Sequence, residues 1–154
     1  MSDLAVIPPC VLTPPSSEML DKMNQANDLI RACPQVDIVT EHLLHGGMYA
    51  RTIRRGPGVV AVGSLILRAT ILIVSGPCTL VTGESRLDLH GYNVLPGLAG
   101  RKQLSLTHGA VEMTMIFPTS AKTVEEAENE IFAEADQLIS RKDGSRDQVT
   151  ITGH

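Results

Sequence analysis

The segment GSLILRATILIVSG, residues 63–76, lies near the middle of the chain and is rich in β-branched side chains. Arg68 is its one formally charged residue, and a glycine stands at each end. Together with the preceding residues 57–62, the segment predicts two buried strands that meet at a tight joint near Gly63 and Ser64. A buried helix is the alternative, but the flanking glycines and the isoleucine and valine content favour strands.

The sequence predicts neither a membrane protein nor a nucleic-acid-binding protein. A membrane-spanning helix needs about 18 or more unbroken apolar residues, and Gly63, Ser64 and Arg68 interrupt the apolar segment. No basic region followed by an apolar core marks a signal peptide at the N-terminus. The formal net charge is −4, and the one basic cluster, in residues 51–55, is short and lacks interleaved aromatic side chains.

The length of 154 residues is that of one domain with a real core. The core is expected to be aliphatic, because the chain has no tryptophan and only two tyrosines and two phenylalanines. Cys10, Cys33 and Cys78 are widely spaced and odd in number. This cysteine usage fits a reducing compartment better than a disulfide framework.

Three regions are expected along the chain. Residues 1–15 contain two proline pairs and predict an extended arm, which is either a frayed terminus or a segment that docks on a neighbouring subunit. Residues 16–140 predict a single domain. Residues 141–154 predict a polar tail, in which residues 148–152 alternate like a strand that needs a partner edge in its own barrel or in a neighbour.

Helices are expected only at the two ends of the domain. The first runs to about residue 32, with Ser16 or Ser17 as its cap and Pro34 as its stop. The second runs from about residue 124 to residue 140, after a capping box of Thr123 and Glu126.

Short strands broken by glycine fill the region between the helices. They are predicted at residues 36–41, 48–54, 58–62, 65–74, 78–82, 86–90, 92–95, 101–107 and 110–117. So many short strands with no helix among them predict a mainly β fold, either a sandwich or a jelly-roll barrel.

Several short motifs follow one another in a set order between residues 19 and 135. They are Pro34-Gln35-Val36; His42, Gly47, Tyr49-Ala50-Arg51 and Ile53; Gly58 and Gly63; Pro96-Gly97 with Arg101; and Phe117-Pro118-Thr119 before an acidic helix start. In this order they resemble a group of small cupin-like proteins of bacteriophage and prophage genomes, although the Pro96-Gly97 turn is one residue longer here. The resemblance implies a cupin-like jelly-roll barrel flanked by an N-terminal and a C-terminal helix.

The same resemblance implies a metal site whose ligands this chain has lost. Such a cupin binds a divalent metal through three imidazoles, and the matching positions here are Ile66, Thr70 and Phe117. Isoleucine and phenylalanine have no lone pair to donate, and a neutral threonine hydroxyl is a poor substitute for an imidazole nitrogen. A small alignment shift does not restore the site, because no histidine occurs between His45 and His90. We therefore expect no metal, no cofactor and no catalytic residue.

Other candidate site residues are few. His42 and His45 are three residues apart at a strand end, which favours a surface or hydrogen-bonded pair over a metal site. If the barrel binds a small molecule, the candidate contacts are Arg68, Tyr92, Arg101 and Glu112. An outward-pointing Arg68 is the favoured arrangement, and an inward one would suggest a carboxylate or phosphate ligand.

The expected function is that of a non-enzymatic structural protein of the virion, most simply a capsid decoration or cement protein. A tail, fibre or baseplate component is the second hypothesis, and a metal-independent small-molecule-binding cupin or isomerase is the third. The expected partners are further copies of the chain, in a dimer or trimer, and phage shell or tail proteins. These contacts would use the 1–15 arm and strand edges. Synthesis would take place in the cytoplasm of the bacterial host.

Overall fold

A computed structural model describes residues 10–138, 141 and 147–153. Within these residues the chain forms ten strands, two α-helices and one 3₁₀ helix, which confirms the mainly β prediction. In chain order the elements are α1 (Ser17–Arg31), β1 (Val39–His45), β2 (Met48–Arg55), β3 (Val60–Val62), β4 (Thr70–Ser75), β5 (Cys78–Thr82), β6 (Ser85–Leu89), β7 (Tyr92–Gly97), β8 (Gln103–Thr107), β9 (Val111–Pro118), α2 (Val124–Ile131), the 3₁₀ helix (Ala135–Gln137) and β10 (Asp147–Thr152).

The strands form two sheets that share one hydrophobic core. The larger sheet has the order β10-β1-β2-β9-β4-β7, and the smaller one has the order β3-β8-β5-β6. Neighbouring strands are antiparallel except for β1 and β10, which are parallel. Buried side chains from both sheets, such as Leu72 of β4 and Leu80 of β5, belong to the same core. This is the two-sheet arrangement of a jelly roll.

Alternation along the strands determines which side chains enter the core. In β9, Val111, Met113, Met115 and Phe117 are buried, and the residues between them are more exposed. Successive side chains of a strand point to opposite faces. The predicted closing strand, residues 110–117, therefore forms nearly as expected and has one clear inner face.

The central segment differs from its prediction. A strand was expected over residues 65–74, but β4 begins only at Thr70. The backbone before it pairs elsewhere: the N–H of Ile66 donates to Arg101 O at 2.8 Å, and the N–H of Leu67 donates to Ile131 O at 2.8 Å. These distant partners prevent residues 65–67 from continuing the β4 ladder.

Helix α1 agrees with its prediction, while α2 is shorter than expected. Ser16 caps α1, because its Oγ accepts the N–H of Met19 at 3.1 Å. The second helix was predicted to reach residue 140, but it ends at Ile131. It ends there because Phe132 forms a β-bridge with Ile66, and the N–H of Ala133 donates to Leu65 O at 3.0 Å.

The predicted capping box of α2 forms in part. Thr123 Oγ1 accepts the N–H of Glu126 at 3.2 Å, as expected. The carboxylate of Glu126 instead accepts the N–H of Lys122 at 3.1 Å. The reciprocal bond of the box is thus made one residue before the cap.

The described parts of the two chain ends pack on their own barrel. Leu12 is fully buried, its N–H donates to Pro96 O at 2.8 Å, and its carbonyl accepts the N–H of Leu98 at 2.9 Å. The predicted terminal strand forms as β10 and pairs with β1 of its own barrel. Residues 1–9 of the predicted arm and residues 139–140, 142–146 and 154 of the tail region lie outside the described residues.

Candidate functional site

The three positions that match metal ligands of the resembling family lie around Arg101. Arg101 is 1% exposed, its Nη2 donates to Thr70 Oγ1 at 2.5 Å, and its carbonyl accepts the N–H of Ile66 at 2.8 Å. Strands β4 and β9 place Ile71 opposite Ile116, so Thr70 and Phe117 are neighbours on the inner face. A guanidinium group therefore occupies this end of the barrel interior.

The surroundings of Arg101 leave its charge without an acidic partner. Its Nη1 donates to Leu98 O at 3.2 Å, and its guanidinium lies against Gly97, where an added Cβ would come within 2.5 Å of Cζ. Its Nε has no hydrogen-bond partner, and no carboxylate pairs with the group within the described part of the chain. Because burial disfavours the charged form, the pKa of Arg101 falls to about 10.

A second buried arginine, Arg55, lies at the opposite end of the barrel, at the end of β2. Its Nη2 donates to Met113 Sδ at 3.3 Å, and its Nε and Nη1 have no partner among the residues described. Burial lowers the pKa of Arg55, while the nearby Cys78 thiol acts in the opposite direction. Burial also raises the pKa of the Cys78 thiol, which keeps it protonated and unreactive at neutral pH.

His42 lies in the core, so a surface position is wrong for it, whereas a hydrogen-bonded histidine agrees with the other expected arrangement. It is 2% exposed, and its Nδ1 lies 2.6 Å from Tyr49 Oη. Its Nε2 lies 3.3 Å from Asp147 Oδ1, an electrostatic contact. His45, three residues away on the same strand, is exposed on the opposite face and pairs with Thr152 Oγ1 at 3.0 Å. Desolvation lowers the pKa of His42, aided by the charge of Arg51.

A buried carboxylate connects α2 to the inner face of the larger sheet. Glu128 is 2% exposed and accepts from Arg51 Nη1 at 2.6 Å and from Arg141 Nε at 3.2 Å. The guanidinium of Arg51 also lies over the ring of Phe132, 5.1 Å from its centroid. No local sequence pattern predicts this ion-pair cluster, since Arg51 and Glu128 are 77 residues apart in the chain.

The four candidate ligand contacts do not form one site, because Arg68 lies 5.5 Å from the ring centroid of Phe117, at the Arg101 end, whereas Tyr92 and Glu112 flank Ser75 at the other end of β4. Only Arg101 lies inside the barrel, whereas Tyr92 is 69% exposed on β7. Arg68 forms an ion pair with Glu130 at 2.9 Å, and Glu112 forms one with Arg54 at 3.0 Å; both pairs are partly exposed. A binding site that uses all four residues is therefore ruled out in this conformation.

Two open depressions lie at the ends of the barrel among the described residues. One, of about 470 Å³, is bordered by Arg55, Gly76 and Val111, and the other, of about 300 Å³, by His45 and Lys122. No group of three or more histidine, cysteine, aspartate or glutamate side chains suited to a metal ion occurs in the described ranges. The expected absence of a metal stays a prediction. None of the described helices is long and apolar enough to cross a membrane.

Comparison with known proteins gives structural likenesses only. The chain is similar to salicylate 1,2-dioxygenase from Pseudoaminobacter salicylatoxidans, with a TM-score of 0.50 and 10% identity, over 75% of this chain and 35% of the dioxygenase. It is also similar to a cupin superfamily protein from Desulfitobacterium hafniense, with a TM-score of 0.47 and 14% identity over 57% of this chain and 83% of that one. The chain is similar as well to a cupin 2 conserved barrel domain protein from Salinispora arenicola, with a TM-score of 0.46 and 17% identity. This likeness covers 58% of this chain and 84% of that one.

No protein-family model matches the sequence, and no curated protein matches it. The chain spans about a third of the dioxygenase, and at these identities a likeness concerns the fold alone. The two sheets form a jelly roll, one of the two mainly β folds that the strand pattern predicted, and the likeness to the dioxygenase concerns that fold.

Proposed function

We propose that this protein is a non-enzymatic structural component of a bacteriophage particle, a capsid decoration or cement protein that acts through its outer surface. The phage context comes from the motif resemblance of residues 19–135. The observation that carries the proposal is the filled interior at the Arg101 end of the barrel. A side-chain core at that place supports a role on the outside of the barrel.

The interior is filled by the chain's own side chains. Tyr49 and Phe117 are at most 1% exposed, and their rings meet edge to face at 5.5 Å between centroids. Leu12 and Ile131, from outside the two sheets, are fully buried against the same core. Such packing stabilises the barrel in the way an ordinary protein core does.

The outer face of the larger sheet offers a surface for binding. One cross-strand row on this face is apolar over five strands, and the adjacent row adds two further apolar residues. We call this set the outer apolar band: Leu43, Ala50, Ile71, Ile73, Val94, Pro96 and Ile116. Leu43 is 41%, Ile71 is 49% and Val94 is 54% exposed. Contiguous exposed apolar surface is typical of protein interaction sites.

A charged group borders the outer apolar band on one side. Arg54 forms ion pairs with both Glu41 and Glu112, so this group carries one net negative charge. An apolar centre with a charged border is the usual layout of a protein interface. In the proposal, the band contacts the phage shell protein, and the charges at its border set the orientation.

The test is to replace Ile71 with lysine in the phage that encodes this chain and to measure the protein in purified particles by quantitative mass spectrometry. A buried lysine in the interface should lower incorporation by about tenfold or more, which corresponds to about 1.4 kcal/mol. Leu29→Lys is the matched control, because Leu29 is 72% exposed on α1, away from the band. Equal incorporation of both variants and the wild type would contradict this assignment of the surface.

A second candidate function is the binding of a small anion by the barrel, without a metal. It is favoured by the unpaired donors of Arg101 and Arg55, since a buried cation without an acidic partner is costly. The test is thermal unfolding in phosphate or citrate against chloride at equal ionic strength. Specific stabilisation of the wild type, lost in Arg101→Met, would support this function over the structural one.

A further inference from the structure

The edge of the larger sheet at β10 has an open side. Among the residues that the structure describes, β10 pairs with β1 on one side only, because it is the outermost strand of the sheet. In an edge strand, alternate residues point their backbone N–H and C=O groups away from the sheet. These groups are ready to pair with one more strand.

Side-chain and backbone contacts hold β10 in position at both ends. At its start, Asp147 Oδ1 lies 3.3 Å from Nε2 of the buried His42. At its end, Thr152 Oγ1 lies 3.0 Å from His45 Nδ1, and Gly153 O accepts the N–H of Gly46 at 3.2 Å. A strand fixed in this way loses little conformational entropy when it gains a partner.

Beyond Asp147 at its start, the β10 edge lacks the features that usually protect an edge strand. Residues 148–152, with the sequence QVTIT, contain no charge and no proline. Val149 is 52% exposed and Ile151 is 40% exposed. Natural proteins commonly place lysine, proline or a bulge on an edge to prevent pairing.

The other sheet edges in the described structure are less suited to pairing. At the opposite edge of the larger sheet, Leu12 already pairs beside Gly97 of β7, and Pro96 has no N–H to donate. In the smaller sheet, β3 has only three residues, and β6 carries the charges of Arg86 and Asp88. Of the sheet edges that the structure describes, β10 is therefore the best suited to pair with another strand.

We propose that β10 pairs antiparallel with β10 of a second copy of this chain, around a two-fold axis at Thr150. This register places Val149 opposite Ile151 of the second copy and Gln148 opposite Thr152 of the second copy, while Thr150 faces its own equivalent. Apolar side chains thus meet apolar ones and polar side chains meet polar ones. A two-fold axis at Val149 would instead place the apolar Ile151 opposite the charged Asp147 of the second copy, which is a less favourable cross-strand pair.

The β10 dimer joins two six-stranded sheets into one continuous sheet. It leaves the outer apolar band uncovered, so both copies can still contact the shell. The dimer extends the proposed function, because it names a second copy of the chain as one partner. The role of this dimer in a particle rests on the proposed function. The pairing itself is a property of the purified chain and is measured without any phage particle.

The first measurement is the mass of the purified full chain by sedimentation equilibrium across a range of concentrations. We expect a dimer for the wild type and a monomer for Val149→Lys, because two lysines would enter the pair. The matched control is Val60→Lys, since Val60 is 41% exposed on the edge strand β3, and this variant should remain a dimer. Thermal unfolding of each variant checks that it is folded.

The second measurement tests the register by cross-linking. Cys10 and Cys33, which are exposed, are first replaced by serine. In that background, Thr150→Cys should form an intermolecular disulfide readily, because directly opposite residues meet the distance that a disulfide requires. Val149→Cys should form it at least about tenfold more slowly, since its equivalent lies diagonally across the strands.

A wild-type monomer at all concentrations would overturn the proposed dimer. So would a dimer that survives Val149→Lys but dissociates in Ile71→Lys, because that result would place the contact on the outer apolar band. Either result leaves the particle measurement to decide the structural role. Failure of incorporation with an intact β10 dimer would instead refute the proposed function and leave the pairing in place.

Discussion

The guanidinium of Arg101 donates to Thr70 Oγ1 at 2.5 Å inside the barrel, at the position where the resembling family would hold a metal. The hydroxyl of Thr70 is the one side-chain acceptor that this cation has within the described residues. Leaving a buried charged donor without a partner costs more free energy than a typical hydrogen bond contributes. We therefore expect this bond to stabilise the fold more than a bond between neutral groups does.

Thr70→Val should lower the free energy of unfolding by about 1–3 kcal/mol, because it leaves a charged donor unsatisfied at nearly constant side-chain volume. Urea denaturation measures the change. The control is Thr114→Val, whose hydroxyl lies 2.7 Å from Thr52 Oγ1 in a partly buried pair. It should cost only about 0.5–1.5 kcal/mol. A smaller loss for Thr70→Val than for the control would contradict the importance of this bond.

Glu128→Ala should lower the free energy of unfolding by about 3–5 kcal/mol, because it leaves Arg51 and Arg141 without their buried carboxylate. The comparison is Glu130→Ala, on the same helix, where Glu130 pairs with the partly exposed Arg68. That change should cost about 1 kcal/mol or less. Equal losses in chemical denaturation would show that the buried cluster adds no special stability.

The protein should lose stability as the pH falls below about 6.5, the ordinary pKa of histidine in an unfolded chain. The folded protein lowers the pKa of His42, so in this range the unfolded state binds the extra proton. The loss should approach about 1.4 kcal/mol per pH unit until the folded pKa is reached.

The lowered pKa of His42 reflects burial and Arg51, which outweigh the opposing carboxylates of Asp147 and Glu128. His42→Gln should therefore flatten the dependence of unfolding free energy on pH between 7.5 and 5.5. His45→Gln, a change at an exposed site, should keep it. A wild-type stability that rises on acidification over this range would contradict the assignment.

The purified protein should contain well under one equivalent of iron, zinc, manganese or nickel per chain. The reason is chemical: Ile66 and Phe117 offer no lone pair, and Thr70 already accepts from Arg101. Elemental analysis of protein grown with added metals checks this. About one equivalent of any of these metals would mean that other residues form a site.

Local patterns were sufficient for much of the fold. The alternation of β9 and the spacing of the Ser16 cap are visible in the sequence, and both elements form close to their predicted bounds. The two element bounds that were predicted wrongly, the start of β4 and the end of α2, depend on long-range backbone pairing. Residues 65–67 pair with residues 131–133 and with Arg101, which removes the start of the predicted central strand and ends α2 early.

The candidate site was less predictable for the same reason. Arg101 is one of the four predicted contacts, but no local pattern in the sequence shows that it lies inside the barrel while Tyr92 lies outside. Glu128 and Arg51 are 77 residues apart, and no sequence pattern connects them. His42 had a usable signal: Thr40, His42 and Leu44 alternate along β1, and the buried face of that strand includes the histidine.

The most direct test of the proposed role is absolute quantification of this protein, relative to the major shell protein, in purified particles of the phage to which the proposal assigns it. As a decoration or cement protein it should occur in copies that scale with the shell protein, on the order of hundreds per particle, since each shell subunit repeats the contact. Roughly six to a few dozen copies would indicate a tail component, as expected from ring symmetry. Complete absence from the particles would contradict the structural role.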